Sequence, residues 1–246
     1  MKEFDFKPID TEGEDTLNTI ALANHLNSWM YNTIKPFCTG KILEIGSGVG
    51  NISAYFLRDG ASILLSDIRE GYCESLREKF TGSPTLSGIE NINLVDPEFD
   101  QKFSEHFNCF DTVFALNVVE HIFDDQAALL NCYKLLKPGG QLIVLVPAYQ
   151  WLYNDFDKEL EHYRRYNRKR LEALFISSHF QVLNSRYFNA AGIAGWFISG
   201  KMQHHRIIPS GQIRLFNKLV ILFKLIDSLI FNSFGLSVIT VGKKPS

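Results

Sequence analysis

A chain of 246 residues, 46% of them apolar and with a formal charge of −2, is long enough to bury one sizeable α/β core. Its charge is too near balance to track nucleic-acid phosphates, which takes a clear basic excess, so nucleic acid is not an expected partner. The four cysteines, Cys38, Cys73, Cys109 and Cys132, form no C-x-x-C pair and follow no secretory leader, which points to a reducing, cytoplasmic setting. Met1 to Glu14 reads as an acidic, polar arm. Leu17, Ile20, Leu22, Leu26, Trp29, Met30 and Ile34 then recur at helical spacing and predict a long helix that Pro36 ends. A short strand over Lys41 to Ile45 runs into a glycine-rich turn. A helix through Ala54 to Arg58, a strand over Ser62 to Ser66 and a helix from Glu70 to Phe80 follow. A third strand is expected at Ile92-Asn93-Leu94-Val95, a fourth at Phe110 to Leu116, a helix over Gln126 to Leu136, and a fifth strand after Lys137-Pro138-Gly139-Gly140. Strands alternating with helices imply a parallel sheet covered on both faces.

The turn Glu44-Ile45-Gly46-Ser47-Gly48-Val49-Gly50 and the acid Asp67 at the tip of the next strand describe a nucleoside-binding crevice. Glycine lets backbone lie against a ligand where a Cβ would clash, and a carboxylate at that strand tip can accept from both ribose hydroxyls. A dinucleotide fingerprint has the spacing G-x-G-x-x-G, whereas here Asn51 holds the third glycine's position and Gly50 comes one place early. The pyrophosphate reading is weakened, and a nicotinamide oxidoreductase is left as the alternative.

The spacing E-x-G-x-G-x-G, Asp67 about 20 residues on, the segment Phe110 to His121 with its trailing Glu120-His121, and the Lys-Pro-Gly-Gly turn resemble, in that order, the motifs of class I S-adenosylmethionine-dependent methyltransferases. The likeness covers roughly Gly40 to Pro147. It implies a Rossmann-like α/β/α sandwich: a seven-stranded, mostly parallel sheet with an antiparallel last strand and helices on both faces. The whole chain would be a single methyltransferase domain, with a helical cover (1–39), a cofactor core (40–147) and acceptor-side elaborations (148–246). The implied cofactor is S-adenosylmethionine, leaving S-adenosylhomocysteine. The resemblance assigns its contacts to Glu44, Gly46, Ser47, Gly48, Gly50, Asn51, Asp67, Ile68, Asp96 and Asn117, with Asp67 on the ribose, Glu44 near the amino group and Asp96 either near the adenine or an ordinary turn acid before Pro97. A non-catalytic binding protein on this fold would show degraded glycines or a lost ribose acid, and both features are intact.

Acceptor choice belongs to the half beyond Pro147, because ligands of open α/β sheets sit outside the carboxyl ends of the strands. The stretch Asp157 to Tyr166 is dense in aromatic and titratable groups and falls where the loop after the fifth strand should lie. His162, His121 and Tyr166 are therefore the candidate bases for an oxygen acceptor, which benefits from one because its pKa is high. Capping and salt-bridging of a helix starting near Arg168 is the structural alternative for this cluster. Some relatives of the resembled class bind a divalent metal through Glu-x-x-Glu-His. Here Asn117 replaces the first Glu, which removes one hard ligand, and no metal is expected. His162-Tyr163-Arg164-Arg165-Tyr166 and Phe234-Gly235-Leu236-Ser237 resemble a bacterial subgroup found beside glycosyltransferases, which implies a small-molecule, glycan or glycolipid acceptor from surface-polysaccharide assembly. Asn117-Val118-Val119-Glu120 lacks the Asn/Asp-Pro-Pro-aromatic pattern of nucleobase amino-methyltransferases.

Between Arg214 and Phe234 an apolar-rich helix is expected, broken by Lys218, Lys224 and Asp227. Its longest unbroken apolar run is far below the ~20 residues of a membrane span. Its wide arc is suited to packing, to a homodimer, or to peripheral contact with the inner membrane face beside Lys201, His204, His205 and Arg206. A last strand over Ser237 to Val241 should pair with one at Gln181 to Tyr187.

Overall fold

The computed structural model describes residues 23–198 and 210–246. The acidic arm, Leu17, Ile20 and Leu22, and the basic group Lys201, His204, His205 and Arg206 lie outside the described residues.

The organising feature is Ile42-Leu43-Glu44-Ile45, buried at all four positions (β1, Ile42–Ile45). A strand buried on both faces needs apolar side chains in both directions, and an internal parallel position supplies that environment. Accordingly β1 pairs in parallel with β2 (Ile63–Asp67) on one side and β4 (Phe110–Leu116) on the other. With β3 (Leu86–Asn91), β5 (Leu136–Pro147), β6 (Gln181–Phe188) and β7 (Ser237–Lys243) the sheet runs β3-β2-β1-β4-β5-β7-β6. β7 lies antiparallel to both of its neighbours. Successive residues of a strand face opposite sides: Leu43, Leu64 and Val113 join one core, and Ile42, Ile63, Leu65 and Phe114 the other.

The first core is covered by α5 (Asp125–Leu135) and α7 (Arg168–Ser177), through Leu129 and Phe175. The second is covered by α1 (Asn24–Ile34) and α2 (Ser53–Arg58), through Ile34 and Phe56. α3 (Glu70–Phe80) packs Leu76 and Phe80 there too. α4 (Phe99–Lys102), α6 (Asp155–Glu159) and α8 (Ala191–Trp196) are short connectors. α9 (Ser210–Leu229) packs Val220 into the second core and lies against α1.

The third strand is a correction: it spans Leu86–Asn91, not Ile92 to Val95. Ile92 and Leu94 are buried because the loop after the strand tucks them into the first core, not because they pair in the sheet. The Lys-Pro-Gly-Gly segment is a bulge inside β5, where the register jumps from Phe110↔Leu136 to Thr112↔Gln141 and Gly139 turns with φ +80°. Among the described residues no helix is long and apolar enough to cross a membrane, and all four cysteines are free thiols.

Candidate active site

The chain reverses direction across the sheet between β1 and β4, and the carboxyl ends of these strands part into a crevice, the place where open α/β sheets bind ligands. A cavity of about 910 Å³ opens there. Its cofactor end is lined by Glu44, Gly46, Ser47, Gly48, Asn51, Asp67, Ile68 and Asn117, eight of the ten residues that sequence reasoning assigned to it. Gly46 has φ +71°, and a Cβ on it would come within 2.4 Å of Val118. That closeness packs the turn against the loop after β4.

Two buried carboxyl groups face this end. Asp67 accepts from the amides of Gly48 (2.9 Å) and Arg69 (3.0 Å). Burial pushes its pKa up, and these amides pull against it. Glu44 accepts from the Ser53 hydroxyl, and burial raises it to about 7 against the bonds from Ser53 and Ser47. Ser47 ties the turn to β2, its amide donating to the Ser66 carbonyl (2.8 Å) and its hydroxyl accepting from the Ser66 amide (3.2 Å). Two acids and a glycine turn around an open cavity suit a nucleoside bearing ribose hydroxyls and an amino group.

Two assigned residues fall elsewhere. Gly50 does not line the cavity; it faces α3, and a Cβ there would meet the Phe80 ring at 2.6 Å. Asp96 accepts from the Glu98 amide and from Lys102 Nζ (2.7 Å), so it is a turn acid committed to its own helix start. Asn93, three residues earlier, lines the cavity.

The other end is built by the segments after β4 and β5. His162 is 4% exposed and its Nδ1 lies 2.8 Å from Asp157 Oδ1. Arg165 Nε donates to the same oxygen (2.8 Å), and Asp157 Oδ2 accepts the Asn154 amide that starts α6. Burial alone would raise Asp157, but His162 and Arg165 hold it below the usual carboxylate value. An ionised Asp157 fixes the proton on Nδ1 and leaves the His162 Nε2 lone pair free, 4.0 Å from Glu120 Oε1. Burial lowers the His162 pKa, with Asp157 opposing and Arg165 assisting. His121 meets His162 edge to face at 4.6 Å, and burial, His162 and Arg69 lower it well below an ordinary imidazole. Glu120, His121 and His162 each offer one donor atom, all within 4.8 Å of one another, a set able to hold a divalent cation.

Tyr166 also lies away from the cavity. Its amide donates to the Pro147 carbonyl, which turns the ring into the core, where its hydroxyl donates to Asp125 (2.7 Å) away from the cavity lining. Arg69 and Asn93 stand in no motif, and the pairing of Asp157 with His162 and Arg165 is not written in the stretch that holds them. Asp157 had one local signal, the capping-box pair Asn154 and Asp157 three apart. Arg69 approaches Glu161 at 4.0 Å across the cavity rim, a contact between residues 92 positions apart that no local pattern shows.

Sheet order, the antiparallel β7, the glycine turn and the strand-tip acid together give the chain the fold of class I S-adenosylmethionine-dependent methyltransferases. Residues 43–142 match the family model described as a methyltransferase domain. Similar curated proteins include the ubiquinone/menaquinone biosynthesis C-methyltransferase of Haemophilus ducreyi, 32% identical over 53% of this chain and 51% of that one. The mitochondrial ubiquinone biosynthesis O-methyltransferase of Rattus norvegicus is 31% identical over 45% and 31%. The chain thus spans about half or less of these relatives. Among solved structures, phosphoethanolamine N-methyltransferase 2 of Haemonchus contortus, in complex with S-adenosyl-L-methionine, superposes with a TM-score of 0.59 at 16% identity, covering 90% of this chain and 52% of that one.

Proposed function

We propose that the chain methylates a hydroxyl oxygen of an acceptor with an apolar body, of the small-molecule, sugar or glycolipid kind, using S-adenosylmethionine. The observation that carries this reading is the pairing of a base with a greasy wall. His162 Nε2 faces the cavity beside Glu120, while Phe156, Phe188, Trp196, Phe216 and Phe223 line the far side. The cofactor, when bound, supplies an electrophilic methyl group on a sulfonium sulfur. The glycine turn and Asp67 hold the nucleoside end, and the aromatic wall holds the acceptor body and excludes water. The acceptor hydroxyl gives its proton to His162 Nε2 as its oxygen takes the methyl group, and the broken bond's electron pair stays on sulfur. Asp157 holds the imidazole in the accepting tautomer and stabilises the imidazolium. Positioning supplies most of the acceleration, since a sulfonium methyl group is already activated. The rat relative is named for O-methylation and the Haemophilus relative for C-methylation, so the choice of oxygen rests on the base and not on the names. In this reading the proton moves to His162 without a metal ion, so turnover persists in chelator.

Calorimetric titration with S-adenosylmethionine, S-adenosylhomocysteine and NAD tests the cofactor half. The two sulfur nucleosides should bind and NAD should not. Asp67→Ala should weaken binding by about 1.5–3 kcal/mol, roughly ten- to a hundredfold. For the acceptor half, release of S-adenosylhomocysteine is followed over a panel of hydroxylated amphiphiles, and product NMR separates O–CH₃ from C–CH₃. His162→Asn should keep cofactor affinity and lose about 10²–10⁴-fold in turnover. NAD binding, or unchanged turnover in that variant, would overturn the reading.

A further inference from the structure

α9 is apolar on two sides. Its inner side packs Val220 in the core and presents Phe216 and Phe223 to the cavity. Its outer side is uncovered among the described residues: Ile221, Leu222, Leu225 and Leu229, with Phe231 and Phe234 just beyond the helix end, are each more than half exposed. At 100° per residue, Arg214, Lys218, Ile221, Leu222, Leu225 and Leu229 form one stripe along a single face. A stripe of that size, left uncovered, marks an interaction surface.

From this surface we infer that the outer face of α9 docks on an anionic lipid surface, so that an amphiphilic acceptor enters the cavity from the membrane. Charge decides between lipid and a second copy of the chain. The exposed charges of α9 are basic, Arg214 and Lys218, while the acid Asp227 is buried and consumed by the amides of Asn189 (2.6 Å) and Ala190 (2.8 Å). A second copy would bring the same positive charges to the contact, whereas phosphate headgroups bring the opposite ones. The stripe is graded in the same sense: Arg214 and Lys218 lie in the first half of the helix and Ile221, Leu222, Leu225 and Leu229 in the second, while the third cation, Lys224, is half-buried and off the stripe. The first half would meet headgroups while the second reaches into the acyl boundary.

Continuity with the cavity supports the same occupant. Leu215 and Leu219 are exposed and also line the cavity, so the opening lies along the edge of the helix next to Arg214 and Lys218. The helix is held to the body of the protein, because Asn217 Oδ1 accepts the His25 (2.9 Å) and Leu26 (3.2 Å) amides of α1. The docking face and the acceptor entrance are therefore fixed in one rigid relation.

The acceptor route rests on the proposed function, but the docking does not, so the test is run on the cofactor-free full chain. Co-sedimentation is measured with vesicles of equimolar phosphatidylcholine and phosphatidylglycerol, and with phosphatidylcholine alone. Binding is expected on the mixed vesicles, weaker on the neutral ones, and decreasing with salt. The triple variant Leu222→Glu/Leu225→Glu/Leu229→Glu should lose at least about tenfold in partitioning. Circular dichroism and S-adenosylmethionine titration of that variant should be unchanged, since all three side chains face solvent. Light scattering without vesicles provides the opposing outcome. A stable dimer that the triple variant dissociates, or a monomer that ignores both vesicles, would overturn the proposal, as would equal binding by the variant.

Discussion

Neither carboxyl oxygen of Glu120 has a hydrogen-bond partner among the described residues, and the side chain is fully buried 4.0 Å from His162. Burial raises its pKa to about 8; Asp157 adds to the shift and Arg165 opposes it. The consequence for stability has a definite sign. Below about pH 4.5 the group is neutral in folded and unfolded chains alike. Between 4.5 and 8 the unfolded chain releases a proton that the folded chain keeps, so stability falls as pH rises. Above 8 the loss is complete. Glu120→Gln removes this term, and its stability relative to wild type should be greater at pH 8 than at pH 5 by on the order of a few kcal/mol, read from urea unfolding at both values. The neighbouring base shifts the opposite way. Burial lowers His162, so the acid limb of kcat/KM should fall below the 6.5 of an ordinary imidazole, and a limb above it would show that His162 is not the base.

At the scale of elements, packing of α3 against the glycine turn depends on Gly50. Its φ of +76° already disfavours a side chain, and its face lies on the Phe80 ring and Leu76. Gly50→Ala should therefore cost about 1–3 kcal/mol in urea unfolding. Cofactor affinity of the folded fraction should hold, because Gly50 is not in the cavity lining. A variant that unfolds normally yet loses the cofactor would return Gly50 to the binding role that the motif implied. The start of α1 shows a related dependence. Its N-cap residue Ala23 makes no side-chain cap, and Asn217 of α9 satisfies two of the orphan amides instead. Asn217→Ala should cost about 0.5–2 kcal/mol, as loss of a helix cap does, measured by the same unfolding.

Across the whole molecule, what was legible in the sequence was whatever a short segment encodes by itself. The glycine turn, the acid ending β2, the Glu120-His121 pair after β4 and the Lys-Pro-Gly-Gly bulge inside β5 each carry a local pattern, and the nucleoside end of the cavity follows from them. The illegible parts depend on distant partners. β3 is an edge strand whose residues, Leu86-Ser87-Gly88-Ile89-Glu90-Asn91, carry few apolar side chains, while the next loop holds the apolar alternation that reads as a strand. Tyr166 and His162 look alike in a cluster of aromatic and charged residues, yet backbone hydrogen bonds to Pro147 and Tyr149 and a hydroxyl bond to Asp125 hold one inward, while Asp157 orients the other. The cofactor end and the base end are joined by long-range contacts: the ion pair of Arg69 with Glu161 and one sheet running through both. Such a molecule should unfold as one unit. S-adenosylmethionine at a hundred times its Kd stabilises whatever it binds by ~2.7 kcal/mol, which for a chain of this size is about 5–10 °C in Tm. One calorimetric transition that moves as a whole by that amount is expected. A split in which only part of the heat moves would mean that residues 40–147 hold the cofactor without the acceptor half, and would separate the two ends that the proposed reaction needs together.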